Sequence, residues 1–359
     1  MNFFYGRLFA ADPRLRALFP PEMTSQRDRL FHALARIVWS QDNPAELRAY
    51  LSRLGRGHRK YGVLPEHYAV VGEALVATLR AFAAETWTAE AEAAWTAAFA
   101  AAADTMIEAA ERDAATSPPW WVAEVADHDR RAADLAVLTL RPGRPLPFAP
   151  GQHVPVQAAR WPRVWRPYSI ANAPRPDGTL RLHVRAQPCG WVSGALVRHT
   201  TAGDTVLLGP AAGTMALDLA EDRDLLLVAG GTGLAPLKAI VEQVVMSGRA
   251  PRVHLLVGAR SERDLYDLPD LRALEAAHPW LTVVPVLSES LGYDGMRGLV
   301  ADVLDRFDGW EGHEAYVAGP VAMVRRTVTS LQELGVPPER IHHDLTGGHE
   351  IPVPAAGTR

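Results

Sequence analysis

Two short stretches decide the fold of this chain: Arg166-Pro167-Tyr168-Ser169 and, about sixty residues later, Gly230-Gly231-Thr232-Gly233-Leu234-Ala235-Pro236. The second stretch follows the apolar segment 225–229 and precedes residues with helical periodicity. Glycines between a strand and a helix let the backbone approach a pyrophosphate, and the helix N-terminus favours its negative charge. The stretch therefore predicts a dinucleotide site, although the same pattern alone is also typical of a plain tight turn.

Strand and helix patterns alternate around the second stretch. Apolar segments predict strands at 225–229, 253–257, 282–286 and 314–318, and helical periodicity predicts helices at 234–247, 267–277, near 298–306 and at 320–334. Such alternation is typical of a doubly wound parallel sheet. We therefore predict an α/β NAD(P) domain over residues 221–359.

Around the first stretch the hydrophobic period is two. It predicts strands at 121–125, 135–140, 153–156 and 180–184, separated by Gly- and Pro-rich turns. Many short strands with such turns favour a small antiparallel barrel. We therefore predict an antiparallel β-barrel domain over residues 116–220.

The first 115 residues contain helical spacings and few breakers. Thr88 to Glu111 is so rich in alanine that it predicts one long helix. Pro13, Pro44 and Pro65 mark helix starts or connections. We predict an all-α domain over residues 1–115, so the whole chain is multi-domain.

The composition is that of a globular protein, with 48% hydrophobic and 22% charged residues in 359. A net charge of −4 gives no reason to expect nucleic acid or a membrane surface as a partner. The single cysteine, Cys189, excludes an internal disulfide and fits a reducing compartment. No membrane span or signal peptide is expected, so we predict a cytoplasmic protein. The sequence leaves the oligomeric state open.

The first stretch and three later ones resemble the ferredoxin-reductase-like flavoproteins. This resemblance implies FAD and NAD(P)H as cofactors. It implies that Arg166 pairs with the flavin diphosphate, that Tyr168 lies against the isoalloxazine or ribityl chain, and that Ser169 bonds near flavin N5. The family's second phosphate-binding turn is matched by Gly190-Trp191-Val192-Ser193, with backbone N–H groups and the Ser193 hydroxyl as donors.

A second nicotinamide-facing turn of the family is matched by Gly319-Pro320, although the cysteine usual before it is Ala318 here. The cofactor-binding residues that the resemblance implies are Arg166, Pro167, Tyr168, Ser169, Gly190, Val192, Ser193, Gly230, Gly231, Thr232, Gly233, Pro236, Gly319 and Pro320.

The N-terminal residues resemble the globin domain of the flavohemoglobins, also called nitric oxide dioxygenases. Tyr5 and Gln26 match the residues of the distal haem pocket, and Phe19 matches the aromatic that wedges against the haem. His58 matches the proximal iron ligand, and Tyr68 its tyrosine neighbour. The resemblance implies haem b, since haem iron needs a neutral imidazole on one side.

Several positions depart from the family pattern. The proximal glutamate aligns to Ala110, and Glu108 and Glu111 are about 100° away on a helix. The lysine before the proximal histidine is Gly57, and the aromatic that covers the flavin aligns to Thr346. The chain begins at the helix of Tyr5, so the usual first globin helix is either missing or starts upstream of this Met1. The changes at Ala110 and Gly57 predict a weaker electron push on the iron.

The resemblance implies oxidation of nitric oxide to nitrate with O₂, with electrons passing from NAD(P)H to FAD and then to haem. Two alternatives remain open: a flavin and haem reductase with another acceptor, and a globin-based oxygen or redox sensor. The small-molecule partners would be NO, O₂ and NAD(P)H.

Coenzyme choice depends on the residues after the second strand of the α/β domain. Arg260 lies where a 2′-phosphate should arrive, and Ser261 can add a hydroxyl donor. Glu262 could instead satisfy a free 2′-hydroxyl or neutralise Arg263. Arg260 could also be an ordinary surface charge. We expect NADPH to be used at least as well as NADH.

Overall fold

The computed structural model describes residues 1–343 except 41, 219–222, 291 and 308, and it divides into two compact units. Met1–Trp120 and Trp161–Val164 form one unit, and the remaining described residues form the other. Thr346 and the C-terminal tail lie outside the described residues, as does the predicted boundary near residue 220.

The first unit is helical. Its helices are α1 (Asn2–Ala11), α2 (Thr24–Trp39), α3 (Pro44–Arg59), α4 (Pro65–Phe82) and α5 (Ala89–Ala114), with a 3₁₀ turn at Pro13–Leu18. Asn43 and Thr88 cap α3 and α5 by accepting from backbone N–H groups three residues on. Aromatic and aliphatic side chains of α1 and α4 form the core of this unit.

Helices α3 and α5 approach each other closely at Gly55. A Cβ at this position would lie 2.8 Å from the carbonyl carbon and Cα of Met106, and nearer still to its carbonyl oxygen. Only glycine fits there, because the neighbouring atoms are backbone. This crossing fixes α3, the helix that carries His58, against the longest helix of the unit.

The second unit begins with a nearly closed antiparallel barrel. Its strands are β1 (Trp121–Ala132), β2 (Leu135–Pro142), β3 (His153–Ala158), β4 (Arg166–Ser169), β5 (Leu180–Arg185) and β6 (Thr205–Leu208), and α6 is Trp191–Arg198. The strand order is β4-β3-β6-β1-β2-β5, and a bridge between Ile170 and Leu182 joins the two edge strands. The predicted barrel is confirmed.

The rest of the second unit is a six-stranded parallel sheet in the order β10-β9-β8-β7-β11-β12. Its strands are β7 (Leu225–Gly230), β8 (Val253–Ala259), β9 (Leu281–Leu287), β10 (Met296–Arg297), β11 (Glu314–Ala318) and β12 (Ile341–His343), and its helices are α7 (Leu234–Ser247), α8 (Leu268–Ala277) and α9 (Val321–Glu333). Apolar clusters cover both faces, as the doubly wound fold requires.

The predicted multi-domain fold class, with an all-α part, a barrel and a doubly wound sheet, is confirmed. One element differs: residues 300–306 form a 3₁₀ segment instead of the α-helix expected near 298–306. Among the described residues, no helix combines the length and the apolarity that crossing a bilayer requires.

Candidate functional site

Tyr5 and Gln26 come together in the helical unit. Tyr5 is 5% exposed, and burial raises its pKa, while a hydrogen bond from Gln26 and the charges of Arg27 and Arg29 act in the opposite direction. Arg29 Nη2 donates to Gln26 Oε1 at 3.0 Å. The amide N–H of Gln26 is therefore left to donate to the phenolic oxygen, and the Tyr5 O–H remains available for a ligand.

Aromatic rings surround the Tyr5 phenol. The ring of Phe19 meets it edge-on with centroids 5.6 Å apart, and Phe4 and Phe9 lie at 5.0 and 5.8 Å. The Tyr5 phenol is thus a buried polar group among aromatic rings, where a hydrogen bond is stronger than in water.

His58 lies in the last turn of α3. Its Nδ1 donates to the carbonyl of Leu54 at 2.6 Å, and this bond fixes the ring and leaves Nε2 free to bind a metal. Burial lowers the pKa of His58 and so favours the neutral ring. A neutral imidazole with an oriented second nitrogen is the donor that haem iron requires.

Among the described contacts, none joins His58 to Tyr68 or to a carboxylate of α5. Tyr68 lines a cleft of about 580 Å³ between α4 and α5, and burial raises its pKa to about 12. Glu108 pairs with Arg112 at the surface, and Glu111 is exposed. The described partner of the His58 ring is therefore a backbone carbonyl. The sequence pattern gave no sign of this i, i−4 bond.

The flavin-type stretch forms β4, an edge strand of the barrel. Arg166 and Pro167 are exposed, and Arg166 Nη1 donates to the carbonyl of Trp165 at 2.9 Å. Tyr168 is hydrogen-bonded to Ser193, and burial raises its pKa. Ser169 pairs with His153 across the sheet. The hydrogen bond between Tyr168 and Ser193 thus joins β4 to the Gly190 turn.

Gly190 precedes helix α6, and Val192 and Ser193 are buried in its first turn. A Cβ at Gly190 would lie 3.0 Å from Gln187 Cβ and closer to the Ser193 hydroxyl, so a larger residue would displace this hydroxyl. The Ser193 hydroxyl accepts from Gln187 N at 3.1 Å and also contacts Gly190 and Tyr168. It therefore holds the turn, and the first N–H groups of α6 lack partners within the helix itself.

The two glycine turns of the α/β sheet pack directly against each other. A Cβ on Gly319 would lie 3.1 Å from the backbone of Gly230, and one on Gly233 would lie 2.6 Å from Gly319 N. Pro320 Cδ would lie 3.0 Å from a Cβ at Gly230. Gly231, with φ +54°, has open space around it. Thr232 completes this turn, and Pro236 is buried in the first turn of α7.

Some side chains after β8 have polar partners among the described residues, and others have none. The Arg260 and Arg263 side chains are exposed and have no hydrogen-bond or ion-pair partner among the described residues. Glu262 does not pair with Arg263 there, so the suggested neutralisation is absent from the described contacts. The Ser261 hydroxyl donates to Asp264 Oδ2 at 3.0 Å and is therefore not a free donor.

Polar groups that the sequence did not single out lie beside these turns. Lys238 Nζ on α7 donates to Asp267 Oδ2 at 2.6 Å, and the two residues are 5% and 1% exposed. His183 Nδ1 on β5 bonds the Tyr266 hydroxyl at 2.8 Å. Their pairing depends on residues far apart in sequence, so no local pattern could have identified it.

The residues present fit the three cofactors that the fold implies. His58 has a free Nε2, the Gly190 turn is a cradle that a Cβ would fill, and Gly231 lies open beside a helix N-terminus. Among the described residues, no cluster of three or more His, Cys, Asp or Glu side chains offers another metal site.

Family models match three consecutive parts of the chain. They are those of the globins at residues 2–106, the oxidoreductase FAD-binding domain at 123–216 and the oxidoreductase NAD-binding domain at 227–329.

The chain is similar over its whole length to one class of relatives and over its second half to another. A flavohemoprotein of Bordetella pertussis is 29% identical over 96% of this chain and 92% of its own. The ferredoxin–NAD(P)⁺ reductase component of a Pseudomonas putida naphthalene 1,2-dioxygenase system is 37% identical, over 59% of this chain and 64% of that relative's length. The crystal structure of flavohemoglobin from Malassezia yamatoensis with bound FAD and heme superposes with a TM-score of 0.76 at 20% identity, covering 96% of this chain and 93% of that one.

Proposed function

Because the chain belongs to the flavohemoglobin family, with haem, FAD and NAD(P)H as its cofactors, we propose that it oxidises nitric oxide to nitrate with O₂. The cofactors supply the redox chemistry: hydride from the nicotinamide, single electrons from the flavin and ligand binding at the haem iron. The protein's own residues bind and orient these groups. A reducing compartment, the cytoplasm, fits the single free Cys189.

The observation that carries the proposal is the chain of donors from Arg29 to Gln26 to Tyr5. Arg29 holds the Gln26 carbonyl, the Gln26 amide donates to the phenolic oxygen, and the Tyr5 O–H is left to donate onward. Each donor in such a series polarises the next. This arrangement suits a small ligand that gains negative charge during oxidation of nitric oxide.

We assign His58 as the iron ligand. The Leu54 carbonyl orients the ring and keeps the proton on Nδ1. A carbonyl attracts that proton less than a carboxylate would, so the imidazole would donate less electron density to a bound iron. The proposed reaction therefore depends more on the hydrogen-bond donors around Tyr5 than on electron donation from His58.

We assign the FAD site to β4 and the Gly190 turn, and the NAD(P)H site to the paired glycine turns. Arg166 is exposed and can bind a diphosphate, and Tyr168, fixed by Ser193, gives the isoalloxazine or ribityl chain an aromatic surface. The unpaired Arg260 supports use of NADPH at least as well as NADH. We propose domain limits at 1–115, 116–220 and 221–359.

The experiment that tests the function is NADPH-dependent consumption of nitric oxide by the purified chain under air, compared with a His58→Ala variant. We expect fast consumption by the unmodified chain. The variant should lose the Soret band and this activity while it retains flavin and NADPH-dependent dye reduction. A normal haem spectrum in His58→Ala would refute the ligand assignment.

A second function is favoured by one observation: His58 bonds a carbonyl, and no carboxylate of α5 lies against it in the described contacts. In this alternative the chain is an NAD(P)H-dependent flavin and haem reductase with another acceptor. Dye reduction and a normal CO-difference spectrum without nitric oxide turnover would support the alternative. A pure oxygen or redox sensor does not need the complete reductase half.

A further inference from the structure

The segment Arg260–Asp267 connects β8 to α8, and we call it the coenzyme loop. Its shape depends on Asp264, whose Oδ2 accepts from Ser261 N at 3.2 Å and from Ser261 Oγ at 3.0 Å. These bonds close the short 3₁₀ turn Glu262–Asp264 as a capping box. The turn exposes the side chains on either side of Ser261, among them Arg260.

The barrel holds the coenzyme loop from outside the α/β domain. Arg185 on β5 lies 3.6 Å from Asp264 Oδ1 through Nη2, and its Nη1 donates to Asp134 at 2.7 Å. His183, two residues earlier on the same face of the strand, bonds the Tyr266 hydroxyl at 2.8 Å. Two neighbouring side chains of one barrel strand therefore fix two points of the loop.

The far end of the coenzyme loop is fixed inside the α/β domain. Lys238 and Asp267 form a buried ion pair with a nitrogen–oxygen distance of 2.6 Å. Lys238 belongs to α7, the helix that begins at the glycine turn. The loop is thus held in its middle and at its far end, so loss of one contact should change which groups it presents.

Both carboxylate oxygens of Asp264 face partners in this arrangement. Oδ2 accepts from Ser261 and Oδ1 faces Arg185, so a ribose 2′-hydroxyl would have to compete with these partners for the carboxylate. The side chains left unpaired are the two cations, Arg260 and Arg263, which suit a 2′-phosphate. Release of Asp264 would offer the acceptor that a free 2′-hydroxyl needs and partly neutralise these cations.

We propose that Arg185, a residue of the flavin barrel, is a positioning residue for coenzyme choice: it holds Asp264 away from the 2′ end of the nicotinamide coenzyme and so favours NADPH. The proposal rests on the reductase half of the function proposed above and is independent of the chemistry at the haem.

The test is steady-state dye reduction by the full-length holoprotein with NADPH and with NADH. Arg185→Gln should raise KM for NADPH about fivefold or more, change KM for NADH less than about twofold, and leave both kcat values within about twofold. Arg185→Lys, which keeps the cation, should recover most of the NADPH preference. Arg260→Ala should shift the same ratio in the same direction.

Arg141→Gln is the matched control, because Arg141 is a barrel arginine whose ion pair is with Glu124 on the neighbouring strand. It should leave both KM values unchanged. Equal changes for the two coenzymes in Arg185→Gln would show a merely structural role and overturn the proposal, as would unchanged kinetics. An unmodified chain that reduces the dye with neither coenzyme would refute the reductase function itself.

Discussion

Replacement of Gly55 by alanine should destabilise the helical unit, whereas replacement of Gly57 should not. Both glycines lie in α3, two residues apart, and both lose helix stability relative to alanine. They differ in what surrounds them. A Cβ at Gly55 meets the backbone of Met106, and a Cβ at Gly57 meets nothing within 4 Å.

The magnitude follows from these surroundings. The alanine Cβ at position 55 would lie 2.8 Å from two backbone carbons of Met106 and nearer still to its carbonyl oxygen. It must move outward, because carbon and oxygen atoms ordinarily approach to roughly 3.3 Å. Helix α5 cannot yield as a flexible side chain would. Overpacking of this kind lowers the free energy of unfolding by about 1–3 kcal/mol, and the higher helix propensity of alanine raises it by up to about 1 kcal/mol.

The gain in propensity is common to the two variants, so their difference isolates the packing cost of about 1–3 kcal/mol. We would measure guanidinium unfolding of the haem-loaded chain by the Soret band and by far-UV circular dichroism. Haem loss to an excess of an apoglobin acceptor gives a second readout, because His58 lies one turn beyond Gly55. Gly55→Ala should unfold earlier and lose haem faster, and Gly57→Ala should match or exceed the unmodified chain. Equal midpoints for both variants would refute the close crossing of α3 and α5.

Three further predictions concern single side chains. Tyr5→Phe should keep haem and flavin but release O₂ about tenfold faster or more in a stopped-flow experiment, since a hydrogen bond to a charged group contributes about 1.5–3 kcal/mol. An unchanged rate would remove Tyr5 from the ligand site. Lys238→Met should lower the free energy of unfolding of the second unit by about 3–5 kcal/mol, because Asp267 is left buried without its cation. Flavin fluorescence in denaturant measures this loss. The double variant with Asp267→Leu should regain most of it, and an equally unstable double variant would count against the ion pair. Burial lowers the pKa of His183 to about 3, whereas the unfolded residue gains its proton below about 6.5. The free energy of unfolding should therefore fall by about 2 kcal/mol between pH 6.5 and pH 5. His183→Gln should flatten this pH dependence and the exposed control His199→Gln should not, and equal slopes in the two variants would contradict the prediction.

Charged neighbours contribute to the environment of His183 as well as burial. The value of about 3 already includes the cations Lys238, Arg131 and Arg181, which lower the pKa of His183, and Asp270, which raises it. The prediction therefore concerns the whole contact between β5 and the start of α8.

The sequence predicted the elements that depend on local periodicity. Helix α7 was predicted at 234–247 and β11 at 314–318, and both have these bounds. Their apolar runs are long and end at glycines or charged residues, so little competes with the local signal. The 3₁₀ segment at 300–306 was less predictable, because its composition suits either kind of helix.

The sequence could not predict which groups of the site pair with which. Gly55 and Gly57 look alike in sequence, and only the crossing with α5 distinguishes them. Asp264 was not singled out, because its role depends on Arg185, which is 79 positions earlier on the chain. The roles assigned to Tyr5, His58 and Arg260 stay predictions until the variants are measured.

The paired glycine turns of the α/β domain have a consequence for engineering. Gly230 and Gly319 lie 89 positions apart in sequence, yet a methyl group on either would press on the other turn. The two turns that we assign to the nicotinamide coenzyme therefore cannot be varied one at a time. A library that varies only one of these turns should yield mostly inactive clones, and a graft from a related reductase should succeed only when both turns are transplanted together.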